Sequence, residues 1–182
     1  SFPTRRSSDL VFVQGSYAYV VGNGDDGFQV IDISNPNNPT GVGELEDNDT
    51  TLALRGATSV FVQGKYAYVA SESDHGIQII DISDPSSPTG VGQLTTDETD
   101  SIFVQGNYAY ITSSNFGSFQ VIDISNPTHP IGVSNLKLTR ASSVFVQGNY
   151  AYVASNVDHG LQVIDISDPN NPIGVGQVED KG

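Results

Sequence analysis

Cysteine is absent from the 182 residues, histidine occurs three times, and seven Lys and Arg stand against 21 Asp and Glu. Without cysteine there are no disulfides and no thiolate metal sites, although compartment is left open. The histidines are scattered: His75 and His159 occupy equivalent positions before glycine, and His129, within Thr128-His129-Pro130, is expected on the opposite rim. That distribution does not suit a zinc or copper centre. The shortage of basic residues argues against nucleic acid and anionic membrane as partners, because phosphate binding requires clustered cations. No apolar run is long enough to cross a bilayer, so this segment is not expected to insert into a membrane. No stretch of eleven residues keeps a helical period either.

What is present is one unit written four times. Val-Phe-Val-Gln-Gly occurs at Val11 to Gly15, Val60 to Gly64 and Val144 to Gly148, with Ile102 to Gly106 as the fourth copy. Gln14, Gln63, Gln105 and Gln147 are separated by 49, 42 and 42 positions, and so are Asp32, Asp81, Asp123 and Asp165. A period in the low forties with several short β-rich runs per unit indicates propeller blades, which bury their faces by stacking on neighbours.

Each unit predicts four strands. In the last copy, Ser143 to Val146 and Tyr150 to Ala154 flank a Gly-Asn turn and form a hairpin. Leu161 to Ile166 is a third run, ended by Asp168-Pro169-Asn170-Asn171-Pro172, since proline donates no ladder hydrogen bond. Ile173 to Val178, with two glycines, reads as a half-exposed outer strand. Phe12, Phe61, Phe103 and Phe145, with Tyr19, Tyr68, Tyr110 and Tyr152, are expected to be largely buried between stacked sheets.

The strings Phe28-Gln-Val-Ile-Asp32, Ile77-Gln-Ile-Ile-Asp81, Phe119-Gln-Val-Ile-Asp123 and Leu161-Gln-Val-Ile-Asp165, each followed by Ile-Ser-[Asn/Asp]-Pro-x-x-Pro, resemble the LVIVD repeat. Gln29, Gln78, Gln120 and Gln162 depart from it, standing where the family name has valine. The resemblance implies an all-β fold: a β-propeller of four consecutive four-stranded antiparallel blades, an incomplete arc of a larger propeller. It also implies a bacterial or archaeal protein that is secreted or displayed at the cell surface, hence an extracellular location. Fold alone does not fix activity.

Residues 1–10, SFPTRRSSDL, resemble the translation of a sequencing adapter and are set apart from the repeat. Ser59, Ser101 and Ser143 precede the Val-Phe-Val or Ile-Phe-Val run, whereas the first copy has Leu10. The expected division is blade one at 11–48, an insertion at 49–56, and blades at 57–97, 98–139 and 140–182. A further copy would begin a few residues beyond Gly182, so the chain reads as an internal piece of a longer protein, whose remaining blades are its nearest partners.

Setting aside Arg5, Arg6 and Asp9 leaves 20 acidic and five basic residues. Such a surface favours cations, basic partners or solubility in salt. The turns between second and third strands and the connections between blades share one face in a propeller. They hold Asp25, Asp26, Glu46, Asp47, Asp49, Glu72, Asp74, Asp97, Glu98, Asp100 and Asp158. Calcium takes several oxygen ligands, which makes Asp25 with Asp26, or Asp47-Asn48-Asp49, the metal candidates. Neither has the spacing of a known calcium loop, and turns select the same residue types.

The repeated Asp32, Asp81, Asp123 and Asp165 read as structural acceptors for turn N–H groups, because a residue present in every blade solves a problem every blade has. Ser73-Asp74-His75 and Asp158-His159 look like pieces of a triad by composition, but neighbouring turn residues point different ways. Departures from the repeat are better ligand-face candidates. Leu45 to Val60 spans 15 positions against eight for Leu94 to Ile102 and Leu136 to Val144. The extra seven residues nominate Asp47, Asn48, Asp49 and Arg55, and Lys137 with Arg140 break the acidic trend later.

No nucleophile, base and oxyanion site assembles from these residues, and no cofactor is implied beyond the calcium alternative. The expected function is a non-enzymatic interaction or scaffold module that binds a protein or cell-surface ligand. The alternatives are a calcium-dependent adhesion or structural module and a carboxylate-using hydrolase or lyase propeller.

Overall fold

The computed structural model describes residues 10–22, 26–47, 52–155 and 160–178. These form four antiparallel sheets, each built from one contiguous stretch of four strands in sequence order. The first blade comprises β1 (Leu10–Gln14), β2 (Tyr17–Gly22), β3 (Gly27–Asp32) and β4 (Thr40–Glu46). The second comprises β5 (Ala57–Gln63), β6 (Tyr66–Ser71), β7 (Gly76–Asp81) and β8 (Thr89–Thr95). The third comprises β9 (Ser101–Gln105), β10 (Tyr108–Ser113), β11 (Ser118–Asp123) and β12 (Ile131–Lys137). The fourth comprises β13 (Ala141–Gln147), β14 (Tyr150–Ser155), β15 (Leu161–Asp165) and β16 (Ile173–Val178).

Strands β1, β5, β9 and β13 touch one another in turn and are the innermost strands, as the repeat predicts. Leu10 heads β1, opposite Val21, so it belongs to the first blade; residues 1–9 of the adapter-like segment lie outside the described residues. In the tight turns after β1, β5, β9 and β13, Gly15, Gly64, Gly106 and Gly148 take φ of 61° to 63°, a left-handed conformation that glycine adopts without a Cβ penalty.

Three apolar layers fill the three junctions. The layer between the second and third blades joins Tyr68, Ala70, Ile77 and Ile79 to Ile102, Val104, Ala109, Ile111 and Ile122. Alternation along each strand thus sends one set of side chains to the preceding blade and the other to the following blade, as in a sheet covered on both faces. Tyr19, Tyr68 and Tyr110 are buried. The phenylalanines are not buried to that degree: Phe12, Phe61 and Phe103 are half-buried, Tyr152 likewise, and Phe145 is 56% exposed. Each Phe reaches forward to the next blade at the inner edge, with ring centroids 4.8, 4.6 and 5.1 Å apart along Phe12, Phe61, Phe103 and Phe145. Among the described residues Phe145 has no following ring, and Val11 and Val13, whose counterparts Val60 and Val62 face back into a junction, are 62% and 55% exposed. The four blades form an open arc.

Candidate ligand face

Hydrogen bonds between blades recur at fixed repeat positions. The Gln14 amide donates to the Gly64 carbonyl at 2.9 Å, Gln63 to Gly106 at 2.8 Å and Gln105 to Gly148 at 2.9 Å. Gly106 N–H returns a bond to Gln63 Oε1 at 3.0 Å. Ser59 and Ser101 hydroxyls accept from the Ile102 and Val144 N–H groups of the following blade. Leu10, at the same position in the first blade, has no side-chain oxygen to offer Val60.

Asp32, Asp81, Asp123 and Asp165 each accept the N–H of the residue two positions on, Ser34, Ser83, Ser125 and Ser167, at 2.8 Å. Those backbone bonds hold the carboxyls of Asp32, Asp123 and Asp165 below their ordinary range; for Asp81 the Ser83 hydroxyl leads and its N–H follows. Lys65 pairs with Asp81 at 3.3 Å. These aspartates close the turns after the third strands.

On the opposite rim, the second-to-third-strand turns share one backbone device. Asp26, His75 and Gly117 take φ of 47°, 51° and 59°, and their carbonyls accept the N–H of Asp47, Thr96 and Leu138 from the end of the outer strand. His75 is thus a turn residue. Asp26 Oδ1 accepts the Gly56 N–H at 3.1 Å and Asp74 Oδ2 the Arg55 N–H at 2.7 Å. Asp97 Oδ2 accepts from Ser118 Oγ and from the Gln120 amide, Glu98 from Asn115, and Asp100 from the Ser114 N–H. Acids of this rim therefore fix the connections between blades. Asp25, Asn48, Asp49, Asp158 and His159 lie outside the described residues. Among the described residues, no three His, Cys, Asp or Glu side chains are grouped to hold a metal.

Within the described part of the insertion between the first and second blades, residues 52–56, the apolar residues pack inward while Arg55 is exposed. Leu54 is fully buried and Ala53 is 9% exposed. The Ala53 N–H donates to Gln78 Oε1 at 2.9 Å, and its carbonyl accepts from Ser71 Oγ at 2.6 Å. The buried Gln78 amide also donates to the Ile79 and Gly92 carbonyls. The glutamine that departs from the valine of the motif is thus the residue that holds the preceding connection, through Ala53 for Gln78 and through Asp97 for Gln120. Its signal in the sequence was a polar residue repeated inside an otherwise apolar strand. Arg55 lies on this first connection. Lys137, the last residue of β12, donates to the Phe116 carbonyl at 2.9 Å, and Arg140, with φ of 45°, lies on the connection that follows to the fourth blade, two junctions away.

The junctions also differ in how they are filled. Where β12 and the segment after it meet β15 and β16, a groove of about 410 Å³ remains, lined by Leu136, Lys137, Leu138, Gln162, Gly174 and Gln177.

The LVIVD repeat pattern matches residues 5–47, 55–96, 98–137 and 139–180. No curated protein matches by sequence. Among solved structures, a protein from Lactobacillus plantarum superposes with a TM-score of 0.80 at 13% identity, over 92% of this chain and 54% of that one. A functionally unknown protein from Desulfotomaculum acetoxidans gives 0.78 at 13% identity, over 94% and 55%. The periplasmic gluconolactonase of Pseudomonas aeruginosa gives 0.77 at 12% identity, over 94% and 53%. The chain spans about half the length of these structures. At such identities the likeness shows the fold.

Proposed function

The chain belongs to the LVIVD repeat family, and from that premise we propose that it is a non-enzymatic interaction or scaffold module of a cell-surface or secreted protein. One observation carries the proposal: the glutamine amide bond and the phenylalanine contact run in the same direction at all three junctions, joined by a serine bond at the second and third, and among the described residues each end of the arc presents one unfilled half of that set. Blade four offers Ser143, Phe145 and Gln147, whose counterparts reach forward, and blade one offers Val11, Val13 and Gly15, whose counterparts receive. The engagement of Asp26, Asp74, Asp97 and Asp100 in backbone and side-chain bonds supports a scaffold role for that rim. The family resemblance supports the extracellular or cell-surface location.

Sedimentation velocity tests this reading. The chain is expected to associate end to end at concentrations of about 100 µM, and Phe145→Asp or Val13→Asp alone should return it to monomer, since charge placed in an apolar interface core is strongly disfavoured. A chain that remains monomeric throughout overturns the proposal. The fold shared with a gluconolactonase gives the hydrolase alternative its specific test. Gluconolactone turnover well above the buffer rate, lost on Asp97→Asn, would replace the scaffold reading.

A further inference from the structure

The first and third junctions use the same residues and differ in what occupies them. Between the first two blades, a Cδ of Leu52 lies 2.5 Å from where a Cβ on Gly90 would stand, and Ala53 N–H is held by Gln78. Between the last two, Gln162 and Gly174 stand at the positions of Gln78 and Gly90, offset by 84 residues in both cases. The connection there is seven residues shorter. Leu138 takes the place of Leu54, while among the described residues nothing replaces Leu52 or Ala53. A Cβ on Gly174, like one on Gly132 in the third blade, would meet no atom within 4 Å; beside Gly174 the groove of about 410 Å³ opens. At the middle junction the corresponding Gln120 amide is taken up by Asp97 at 2.9 Å. Of the three junctions, only the last leaves its glutamine without a partner among the described residues.

Building on the interaction-module reading, we propose that this groove binds an extended peptide segment of a partner. An aliphatic side chain, best a leucine, lies over Gly174, and the N–H of the following residue donates to Gln162 Oε1. The chain's own Leu52-Ala53 is the template for both contacts. The volume is within the range of small-ligand sites, and the chemistry needed is one apolar anchor with one oriented hydrogen bond.

The probe is acetyl-Thr-Thr-Leu-Ala-amide, titrated into the full chain and followed by backbone amide NMR shifts. Saturable binding with Kd below about 1 mM is expected, as suits a contact of this size. Acetyl-Thr-Thr-Asp-Ala-amide, which loses the anchor, and acetyl-Thr-Thr-Leu-Pro-amide, which loses the N–H, should each bind at least about tenfold more weakly. Gly174→Leu fills the groove with its own side chain and should abolish binding. Gln162→Val removes the acceptor and should weaken binding about tenfold, and it decides the matter if Gly174→Leu fails to fold. No saturation up to about 5 mM, or equal binding of the proline peptide, overturns the inference. Sedimentation of the same samples separates the two claims. Intact end-to-end association without peptide binding removes the groove and leaves the scaffold reading, and peptide binding without association does the reverse.

Discussion

Gln63 and Gly106, 43 residues apart, hold each other through two hydrogen bonds: the Gln63 amide donates to the Gly106 carbonyl at 2.8 Å, and the Gly106 N–H donates back to Gln63 Oε1 at 3.0 Å. The pair joins the inner turn of one blade to that of the next. Gln14 and Gln105 repeat the donated half. Gln147 is the fourth of the set and, among the described residues, has no such partner.

The glutamines therefore supply their own control. Gln63→Ala is expected to lower unfolding free energy by about 1–2 kcal/mol, and Gln105→Ala by about 1 kcal/mol, at the level of net hydrogen-bond contributions. Gln147→Ala should change it by less than about 0.5 kcal/mol, as an exposed substitution away from any contact does. Urea unfolding of the three variants at a concentration where the chain is monomeric checks this. Equal losses at all three positions would mean that the glutamines act within their own turns.

Two threonines at blade junctions should respond in opposite directions to the same change. Thr58 Oγ1 donates to the Thr99 carbonyl at 2.6 Å, whereas Thr112 Oγ1 is buried with no partner among the described residues. Valine keeps the shape and removes the hydroxyl. Thr58→Val is expected to cost about 1–2 kcal/mol by leaving a carbonyl unmet, and Thr112→Val to be neutral or stabilising by about 1 kcal/mol. Thermal unfolding of both variants against the unaltered chain gives the sign.

The repeated aspartates predict acid sensitivity. Their folded-state pKa values are depressed, so the stability they supply is fully present above the unfolded value near 4 and is lost as pH falls through the folded value. The melting temperature should hold steady above about pH 5 and drop below about pH 4. The difference between the unaltered chain and Asp123→Ala should be constant on the plateau and close in acid. At the alkaline end, burial, followed by the neighbouring Tyr66, pushes Tyr68 up to about 12. Its contribution is present below the unfolded value near 10 and fades as pH rises toward 12. Tyr68→Phe should flatten that alkaline limb.

The repeat period, the four strands per unit and the Asp32-type turn are legible in the sequence because each is local: a hairpin glycine, a proline stop or an Asp two residues before the N–H it accepts. The junction contacts are not local. Gln14 reads as a turn residue until the next blade brings Gly64 to it, and Gln78 reads as a departure from valine until Ala53 arrives. In the sequence the polar residues at and just before the insertion, Asp47, Asn48, Asp49 and Arg55, stand out. Its apolar part is what the structure packs: Ala53 and Leu54 are buried and Leu52 is half-buried. The phenylalanines mislead for a related reason. An aromatic at a constant repeat position signals packing, but at the inner edge one face of the ring stays open.

Calcium provides the remaining discrimination on the acidic rim. Asp26 already accepts the Gly56 N–H, and Asp47 donates its own N–H to the Asp26 carbonyl, so these two residues serve the turn and the connection. A ligand that binds only the folded state raises the melting temperature progressively once its concentration exceeds its dissociation constant. If the rim serves the fold alone, the midpoint should stay unchanged up to about 10 mM calcium, above the weak extracellular range. Magnesium at equal ionic strength controls for screening. A rise specific to calcium would favour the calcium-dependent module. Asp47→Asn with Asp49→Asn should then abolish it if the insertion holds the ion, whereas a shift that survives both changes moves the ion to Asp25 and Asp26 or elsewhere.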